Sequence, residues 1–598
     1  MDRWKSPLWL ILALFLGLHA LYNWAIPLGE GPDEPGHLAY VLFLAFEQRL
    51  PVQRQAPEPS DVAGEGHQPP LAYALTLPAV AWLPPEDRSI LLTANPDFIW
   101  AGGDQPGAFM RSSREQWPWQ GLPLAWHLAR AVVGLCGAAT VALTYLAAQR
   151  LAPGERGLAV LAATLIACNP QFIFSSALVT NDPLLAAFGA LLLWHGLANP
   201  PATWRWAVQA GLLFGLALLT KQSALLLGPL LLWGSWRVAA GNWRQTITMS
   251  LIWAVTTLLI AGWWFVRNLL LYGDLFGLAI FQYTFAGQAF AWGDRSAWEG
   301  AIRQLFTSYW ARFGWMSVHP PDEVFWIYTP LSLLAAVGWA RHLWRRGRQK
   351  HGGDQGWLSA LLVVVMAILW ILAFVSTAGL VAWQGRMLFP AGAAIALLMA
   401  GGLRAWWQGR VWWAKQLPRL LGAGLFALAL WMPWGVIRPA YQWVVLDSGS
   451  AKSSLGTSIY ARYAGNWEQG VTLRGWRAEE AARPGVRLPV TLTWQASLEP
   501  IPLPWTVFVH LVDGEGNIVA KSNSQPRGGT LPFPLWTPGD WVADTHYMEL
   551  PADLPAGSYQ LRVGLYLPEA GSRRQQVWDA LGQGIGDLAL VGELEVRP

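Results

Sequence analysis

Charge is scarce in this chain. Asp, Glu, Lys and Arg make up 13% of its 598 residues, against roughly 25% in an ordinary soluble domain. So few charges over such a length exclude a single large soluble domain and point to a polytopic membrane protein. Cysteine is scarcer still: Cys136 and Cys168 are the only two. Both fall in apolar helical runs, so no disulfide framework is expected, and an extracellular domain after residue 168 must stand without one. Neither sign of charge dominates. The net charge is +4, and no Lys/Arg-rich run resembles an arm for nucleic acid, so no nucleic-acid partner is expected. What is abundant is apolar: 54% of the residues are hydrophobic and 41 are Trp, a residue that collects at membrane interfaces.

The opening, MDRWKSPLWLILALFLGLHALYNWAI, begins like a signal peptide. Its apolar stretch is about 20 residues, long enough to span a bilayer. No clear small-residue cleavage site follows, so it reads as an uncleaved first transmembrane helix. Further apolar runs lie near 124–148, 157–177, 183–199, 205–220, 222–238, 246–270, 323–342, 357–379, 387–406 and 418–437. Together they give about eleven spans. The pair around Lys221 reads either as two short helices or as one broken segment. With Arg3 and Lys5 in the cytoplasm, Arg150, Arg156, Arg205, Arg237 and Arg244 also fall inside. So do the stretch RHLWRRGRQKHGG at 341–353 and Arg404, Arg410, Lys415 and Arg419. One topology thus satisfies the positive-inside rule at every short basic loop. It puts the C-terminus and the loops 28–122 and 272–322 outside.

The first outer loop carries structure of its own. PGHLAYVLFLAFEQRL (35–50) and PPLAYALTLPAVAWL (69–83) have helical apolar spacing and begin with Pro, which suits a first helical turn. They read as amphipathic helices on the outer surface. The second outer loop contains AIRQLFTSYWARFGWM. The fold class is therefore a polytopic α-helical membrane protein plus a C-terminal all-β sandwich. Residues 1–440 form the membrane block, 441–456 a linker and 457–598 the sandwich. In the tail, VRLPVTLTWQASL and WTVFVHLVDGEGNIVAKS alternate apolar and polar residues, and DGEGN is a hairpin signal. Trp536 and Trp541 would either stack on sugar rings or pack in the core.

Charges on the outer side of the membrane block are few. Asp33 and Glu34 follow the first span, and GEGHQPPLAY adds Glu65 and His67. Asp182 sits at the mouth of the fourth span, Lys221 at the end of the fifth, Arg267 at the end of the seventh and Arg386 at the start of the tenth. Charge at such depths is costly and is a functional hypothesis by default. Lys221, Arg267 and Arg386 would neutralise a phosphate, Arg by bidentate contact and Lys as a point charge. Asp33 would act as general base on an acceptor hydroxyl, and the cations would stabilise charge developing on a phosphate leaving group. Snorkelling to water, or pairing for topology alone, is the rival explanation for each charge. A divalent metal, Mg or Mn, is left open as a cofactor. Asp33, Glu34, His67 and Asp182 offer suitable ligand types, but their spacing dictates no metal site.

At these residues the chain resembles the integral-membrane glycosyltransferases of the GT-C fold, above all the bacterial protein-mannosyltransferase-like and aminoarabinose-transferase-like groups. PDEPGHLAY, HQPPLAY, NDPLLAA, LLTKQSALL, VRNLLLYGDLFG and QGRMLFPA carry the resemblance, over about residues 1–440. Met387 stands where such proteins often have Tyr. The resemblance implies a multi-pass protein of the bacterial plasma membrane that transfers a sugar from a polyprenyl-phosphate donor on the outer face, with inversion. It implies Asp33 as the catalytic acid–base residue, with Glu34 in support. It further implies Lys221, Arg267 and Arg386 as donor-phosphate contacts, with Asp182 and His67 lining the site. The acceptor is a glycan, a lipid or a protein. A nucleotide-sugar donor is not expected, because the site faces away from the cytosol. A lipid-glycan transporter or flippase would need polar residues through mid-membrane, where this chain is almost entirely apolar. A non-catalytic scaffold displaying the sandwich would tolerate loss of Asp33.

Overall fold

A computed structural model describes the chain except at residues 1–6, 91, 93, 96–97, 99–105, 112, 199–202, 285–289, 347–354, 379–381, 407–411, 442–454, 465–469, 479–481, 498–502, 530, 569–572 and 598. Arg3, Lys5, Arg410, most of the basic stretch 341–353 and most of the linker lie outside the described residues. The chain divides into two compact units. The first comprises Met1–Arg88, Trp100–Pro106 and Leu124–Ala440, and the second Ser89–Ile99, Gly107–Pro123 and Tyr441–Pro598.

The first unit is helical: α1 (Pro7–Ala25), α2 (Glu34–Glu47), α3 (Leu71–Thr76), α4 (Gly121–Leu151), α5 (Arg156–Ala167), α6 (Pro170–Ser176), α7 (Asp182–Gly196) and α8 (Trp204–Thr220) come first. Then follow α9 (Gly228–Val238), α10 (Trp243–Tyr272), α11 (Leu278–Thr284), α12 (Arg295–Trp310), α13 (Phe325–Arg346), α14 (Gln355–Ala378), α15 (Gly392–Arg404) and α16 (Trp412–Met432). Local chemistry starts several of them. Asn169, Asn242 and Asp294 accept hydrogen bonds from the first free amides of α6, α10 and α12, the usual task of an N-cap side chain. Gly273 ends α10 with φ 77°, a left-handed cap that glycine adopts without penalty.

Every apolar run read as a span is helical, but the count is lower than eleven by length alone. Seven segments among the described residues are long and apolar enough to cross a membrane: Pro7–Ala25, Gly121–Leu151, Trp243–Tyr272, Asp322–Trp344, Gln355–Ser376, Gly385–Arg404 and Pro418–Ala440. An eighth is the pair α5 and α6, bent by 62° at its break. Helices α7, α8 and α9 have 15, 17 and 11 residues. At about 1.5 Å per residue these fall short of a hydrocarbon core roughly 30 Å thick. The chain around Lys221 is broken. Helix α8 ends at Thr220, Lys221 is extended at φ −160° and ψ 138°, and a 3₁₀ turn, Gln222–Leu227, leads into α9.

The second unit is an antiparallel β-sandwich. Its strands are β1 (Thr457–Tyr463), β2 (Val471–Ala478), β3 (Arg487–Ala496), β4 (Thr506–Val512), β5 (Ile518–Ser524), β6 (Trp541–Glu549), β7 (Gly557–Leu567), β8 (Arg573–Arg574), β9 (Val577–Trp578), β10 (Gly584–Gly586) and β11 (Ala589–Val596). One sheet runs β10-β9-β1-β2-β3-β6 and the other β11-β7-β4-β5, with β8 on β7. DGEGN is the β4–β5 turn: Asp513 Oδ1 accepts from the amides of Glu515 and Asn517. The outer-loop residue Met110 packs on the sandwich core, so part of the loop read as 28–122 of the membrane block is grouped with the β unit. Trp536 and Trp541 are both buried, Trp536 to 1% exposure, and the Trp536 indole donates to Leu531 O. Burial removes them as sugar-stacking platforms. In this unit they serve the core.

Helix α7 packs tightly on the Gly385–Ala391 segment that carries Arg386. A methyl on Gly189 would run into the Pro390 carbonyl oxygen. Because the obstacle is backbone, Gly189→Ala is expected to lower stability by about 1–3 kcal/mol. The unfolding temperature of the purified protein in detergent checks this, and an unchanged value would contradict the packing.

Candidate active site

The site begins with an unusual backbone. Asp33 lies in the left-handed region, at φ 66° and ψ −1°, immediately before α2. Few residues other than Gly adopt this conformation, with Asp and Asn over-represented among those that do, and such strain gathers at functional sites. The Asp33 carbonyl accepts the first helical hydrogen bond of α2, from the His37 amide at 3.1 Å. Its carboxylate does not cap the helix. It reaches across to the Gly385–Ala391 segment instead and accepts from Arg386 Nη2 at 2.6 Å.

Arg386 is the hub. Its Nε donates to Gln384 Oε1 at 2.8 Å and its Nη1 to the Pro32 carbonyl at 3.3 Å. Nη1 also lies 3.9 Å from Asp182 Oδ2. Asp182 opens α7, and its other oxygen accepts from Lys221 Nζ at 2.5 Å. Residues 33, 386, 182 and 221, the first two 353 positions apart in the chain, thus form one alternating string of acid and base. Asp182 and Arg386 are largely buried, Lys221 is 18% exposed and Asp33 31%, so the string is only partly screened. Burial pushes the Asp33 carboxyl up, but the charge and hydrogen bond of Arg386 outweigh it and hold the group below its ordinary value.

Around the string stands a second group. His37 Nδ1 lies 2.8 Å from Tyr73 Oη and 3.6 Å from Glu65 Oε2. Asn181 Nδ2 reaches Gln68 Oε1 at 3.4 Å and Tyr73 Oη at 3.5 Å. Glu65 is buried against Gly36, whose missing side chain leaves it room. Burial, reinforced by the charge of Asp33, pushes the Glu65 carboxyl up to about 8. Burial holds the His37 imidazole down at about 3. Both groups are therefore neutral near pH 7. His37 and Tyr73 escaped the sequence reading, although both lie inside quoted motifs. The available signal was spacing: His37 follows Asp33 by four residues, one helical turn.

Three expected site residues have principal contacts other than Asp33 and Arg386. Glu34 points away from Asp33 into the protein and is fully buried. It takes Arg130 Nε and Nη2 at 2.7 Å each, the Trp126 indole at 2.9 Å and the Val179 amide at 3.0 Å. Arg130 also donates to the carbonyls of Ile26 and Pro27. Glu34 is therefore an anchor that ties the acidic loop to α4 and the α6–α7 turn. Arg267 donates to Pro51 O and lies over the Trp264 ring at 4.8 Å. His67 is buried, with its ring 5.7 Å from Phe281. Among the described residues no three His, Cys, Asp or Glu side chains are grouped to hold a metal ion. The open metal question meets a poor fit here: Glu34 belongs to Arg130, and Asp33 and Asp182 to the two cations.

Residues 127–270 match the family described as dolichyl-phosphate-mannose-protein mannosyltransferase. That segment contains Arg130, Asp182, Lys221 and Arg267, but neither Asp33 nor Arg386. The match covers about a quarter of the chain. No curated protein matches the chain. Among solved structures, ArnT from Cupriavidus metallidurans bound to undecaprenyl phosphate is 14% identical over 74% of each chain, with a TM-score of 0.42. The arabinosyltransferase EmbB from Mycobacterium smegmatis is 10% identical over 99% of this chain and 65% of its own, with a TM-score of 0.39. The Pmt1–Pmt2 protein O-mannosyltransferase complex of S. cerevisiae bound to the sugar donor is 13% identical over 45% of this chain and 34% of its own, at 0.29. Likenesses this distant carry no argument about the site.

Two outcomes follow from the geometry. Glu34→Ala strands the buried Arg130 guanidinium and is expected to cost about 3–5 kcal/mol, read as a large fall in unfolding temperature. Glu65 is raised above its ordinary 4.5 to about 8. Its contribution to stability is complete below about pH 4.5 and is lost as pH rises through about 8. Glu65→Gln should flatten the decline of unfolding temperature between pH 5 and 8, and parallel curves for the two proteins would contradict the assignment.

Proposed function

We propose that the protein transfers a sugar from a polyprenyl-phosphate donor to an acceptor hydroxyl on the outer face of a bacterial plasma membrane, with inversion. In this reading the N-terminus is cytoplasmic and the β-sandwich lies outside. The observation that carries it is the Asp33–Arg386 pair. A strained, half-buried carboxylate is held in register with a guanidinium suited to phosphate. An Asp182–Lys221 pair stands directly behind.

The chemistry needs a base and a cation that act in concert. Asp33 takes the proton from the acceptor hydroxyl, and the acceptor oxygen forms the new bond to the anomeric carbon. The bond from that carbon to the phosphate oxygen breaks, and its electron pair leaves on the phosphate. Arg386 and Lys221 stabilise the charge that develops there. At rest these cations are engaged by Asp33 and Asp182. An arriving phosphate competes for the guanidinium and draws it from Asp33. With that charge and hydrogen bond weakened, Asp33 gains proton affinity. The donor would in this way arm the base, and an empty site would keep it idle. Glu34, held by Arg130, fixes the loop from which Asp33 projects and is a positioning residue.

Arg267, tied to Pro51 O, would assist the phosphate only through the loop that it holds. The reading assigns no metal.

Asp33→Asn keeps the shape but removes the base. Positioned general bases contribute about 10²–10⁴-fold, so sugar transfer from a radiolabelled polyprenyl-phosphate donor in vesicles should fall at least about 100-fold. Membrane insertion should be unchanged, while the unfolding temperature falls modestly because Arg386 loses its partner. An undiminished transfer rate in Asp33→Asn would remove the residue from this role.

A further inference from the structure

The first unit holds a second cavity that the reaction above does not use. It has a volume of about 270 Å³ and opens between α12 and the chain that follows it. Gly300, Arg303, Gln304 and Thr307 line it from α12, and Arg312, His319, Asp322 and Phe325 from the following segment. Its composition is specific. The Arg303 and Arg312 guanidiniums face one space, and like charge from Arg303 adds to burial in lowering the Arg312 value. On the rim, Arg303 and Asp322 are paired loosely at 3.5 Å, with their side chains 74% and 77% exposed. Gln304 and Thr307 add neutral polar groups, and Phe325 adds an aromatic face. A prenyl chain would find little apolar wall here. A sugar finds hydroxyl partners, a ring to lie against and an excess of positive charge.

Two bonds of Arg312 join this cavity to the candidate active site. Its amide donates to Gln171 Oε1 at 2.7 Å and its Nε to the Met316 carbonyl at 3.0 Å. Gln171 and Met316 both line the small cavity of about 10 Å³ that borders Arg386 and Asp182, room for about one water. The wall between the two spaces is the last turn of α12: Thr307 faces the large cavity, and Ser308 lines the small one. Ser308 Oγ accepts from the Gly385 amide at 2.8 Å, next to Arg386.

We propose that this cavity anchors the acceptor, and that the acceptor is a saccharide bearing an acidic group, phosphate or carboxylate. The inference rests on the glycosyltransferase reading for the word acceptor, but the binding itself does not depend on transfer. Arg303 and Arg312 take the anion, the Arg303–Asp322 rim and Thr307 take hydroxyls, and Phe325 packs against the ring. Thr307 and Ser308, adjacent on α12, stand between a sugar held there and the Gly385–Arg386 segment.

The test uses the full-length protein in detergent, with N-acetylglucosamine 1-phosphate, glucuronic acid and neutral N-acetylglucosamine as probes, followed by saturation-transfer NMR. The two acidic sugars should bind at least tenfold more tightly than the neutral one, and their binding should weaken as salt rises. Arg303→Glu should abolish that preference without moving the unfolding temperature, since Arg303 is exposed and only loosely paired. A second arm displays the phosphorylated sugar as a glycolipid headgroup in vesicles. Binding of the soluble probes assigns a soluble glycan, and binding of the glycolipid alone assigns a lipid acceptor. Equal binding of acidic and neutral sugars, no binding in either arm, or an unaltered preference in Arg303→Glu would overturn the proposal. Transfer that survives Asp33→Asn while acidic sugars still bind would count against the catalytic reading and leave this cavity assigned.

Discussion

The Arg386 guanidinium is the contact on which the site depends. It touches Asp33 directly, accepts order from Gln384 and Pro32, and lies within reach of Asp182, which in turn holds Lys221. Without it, two carboxylates would face each other across a partly buried space, and like charges so placed cannot both stay ionised at neutral pH. The alternating string solves that problem and leaves its members exchangeable. Each cation satisfies an acid now and would accept a phosphate later. A site built from tightly satisfied, fully buried pairs would lack that freedom. The contrast is inside the same loop, where Glu34 and Arg130 are wholly buried and bonded on every side.

Two neighbouring acids therefore divide the labour. Residue 33 takes the strained backbone and the open side, and residue 34 takes the buried side and holds the turn. A consecutive pair can do this because the left-handed conformation at Asp33 redirects its side chain away from the helix that Glu34 begins. The neutral shell of His37, Glu65 and Tyr73 adds polar partners without adding net charge, which keeps the balance of the string intact near pH 7.

Much of this was legible in the residues. The signs and positions of Asp33, Asp182, Lys221 and Arg386 stood out because charges in apolar surroundings are expensive and rare. The β tail was legible because strand alternation and the DGEGN turn are local signals. What was hidden depends on tertiary pairing. Arg130 lies in the long helix α4, at a position that its apolar neighbours disguise, and only the folded chain reveals Glu34 as its partner. Arg267 looked equivalent to Arg386 by depth and type, yet it is bound to the carbonyl of Pro51. Burial selects core packing over sugar stacking for Trp536 and Trp541, a choice that a strand pattern alone does not make. The span count was less legible, because hydropathy does not register that α7, α8 and α9 are short.

The central claim is that Asp33 and Arg386 act as one electrostatic unit. A double-mutant cycle on the unfolding free energy in mild detergent, with Asp33→Asn, Arg386→Gln and the pair, tests it most directly. Residues in contact show interaction energies of about 0.5–3 kcal/mol, whereas distant sites add to within about 0.3–0.5 kcal/mol. The account predicts a coupling above about 1 kcal/mol, with the double variant less destabilised than the sum of the two singles. Strict additivity would contradict it.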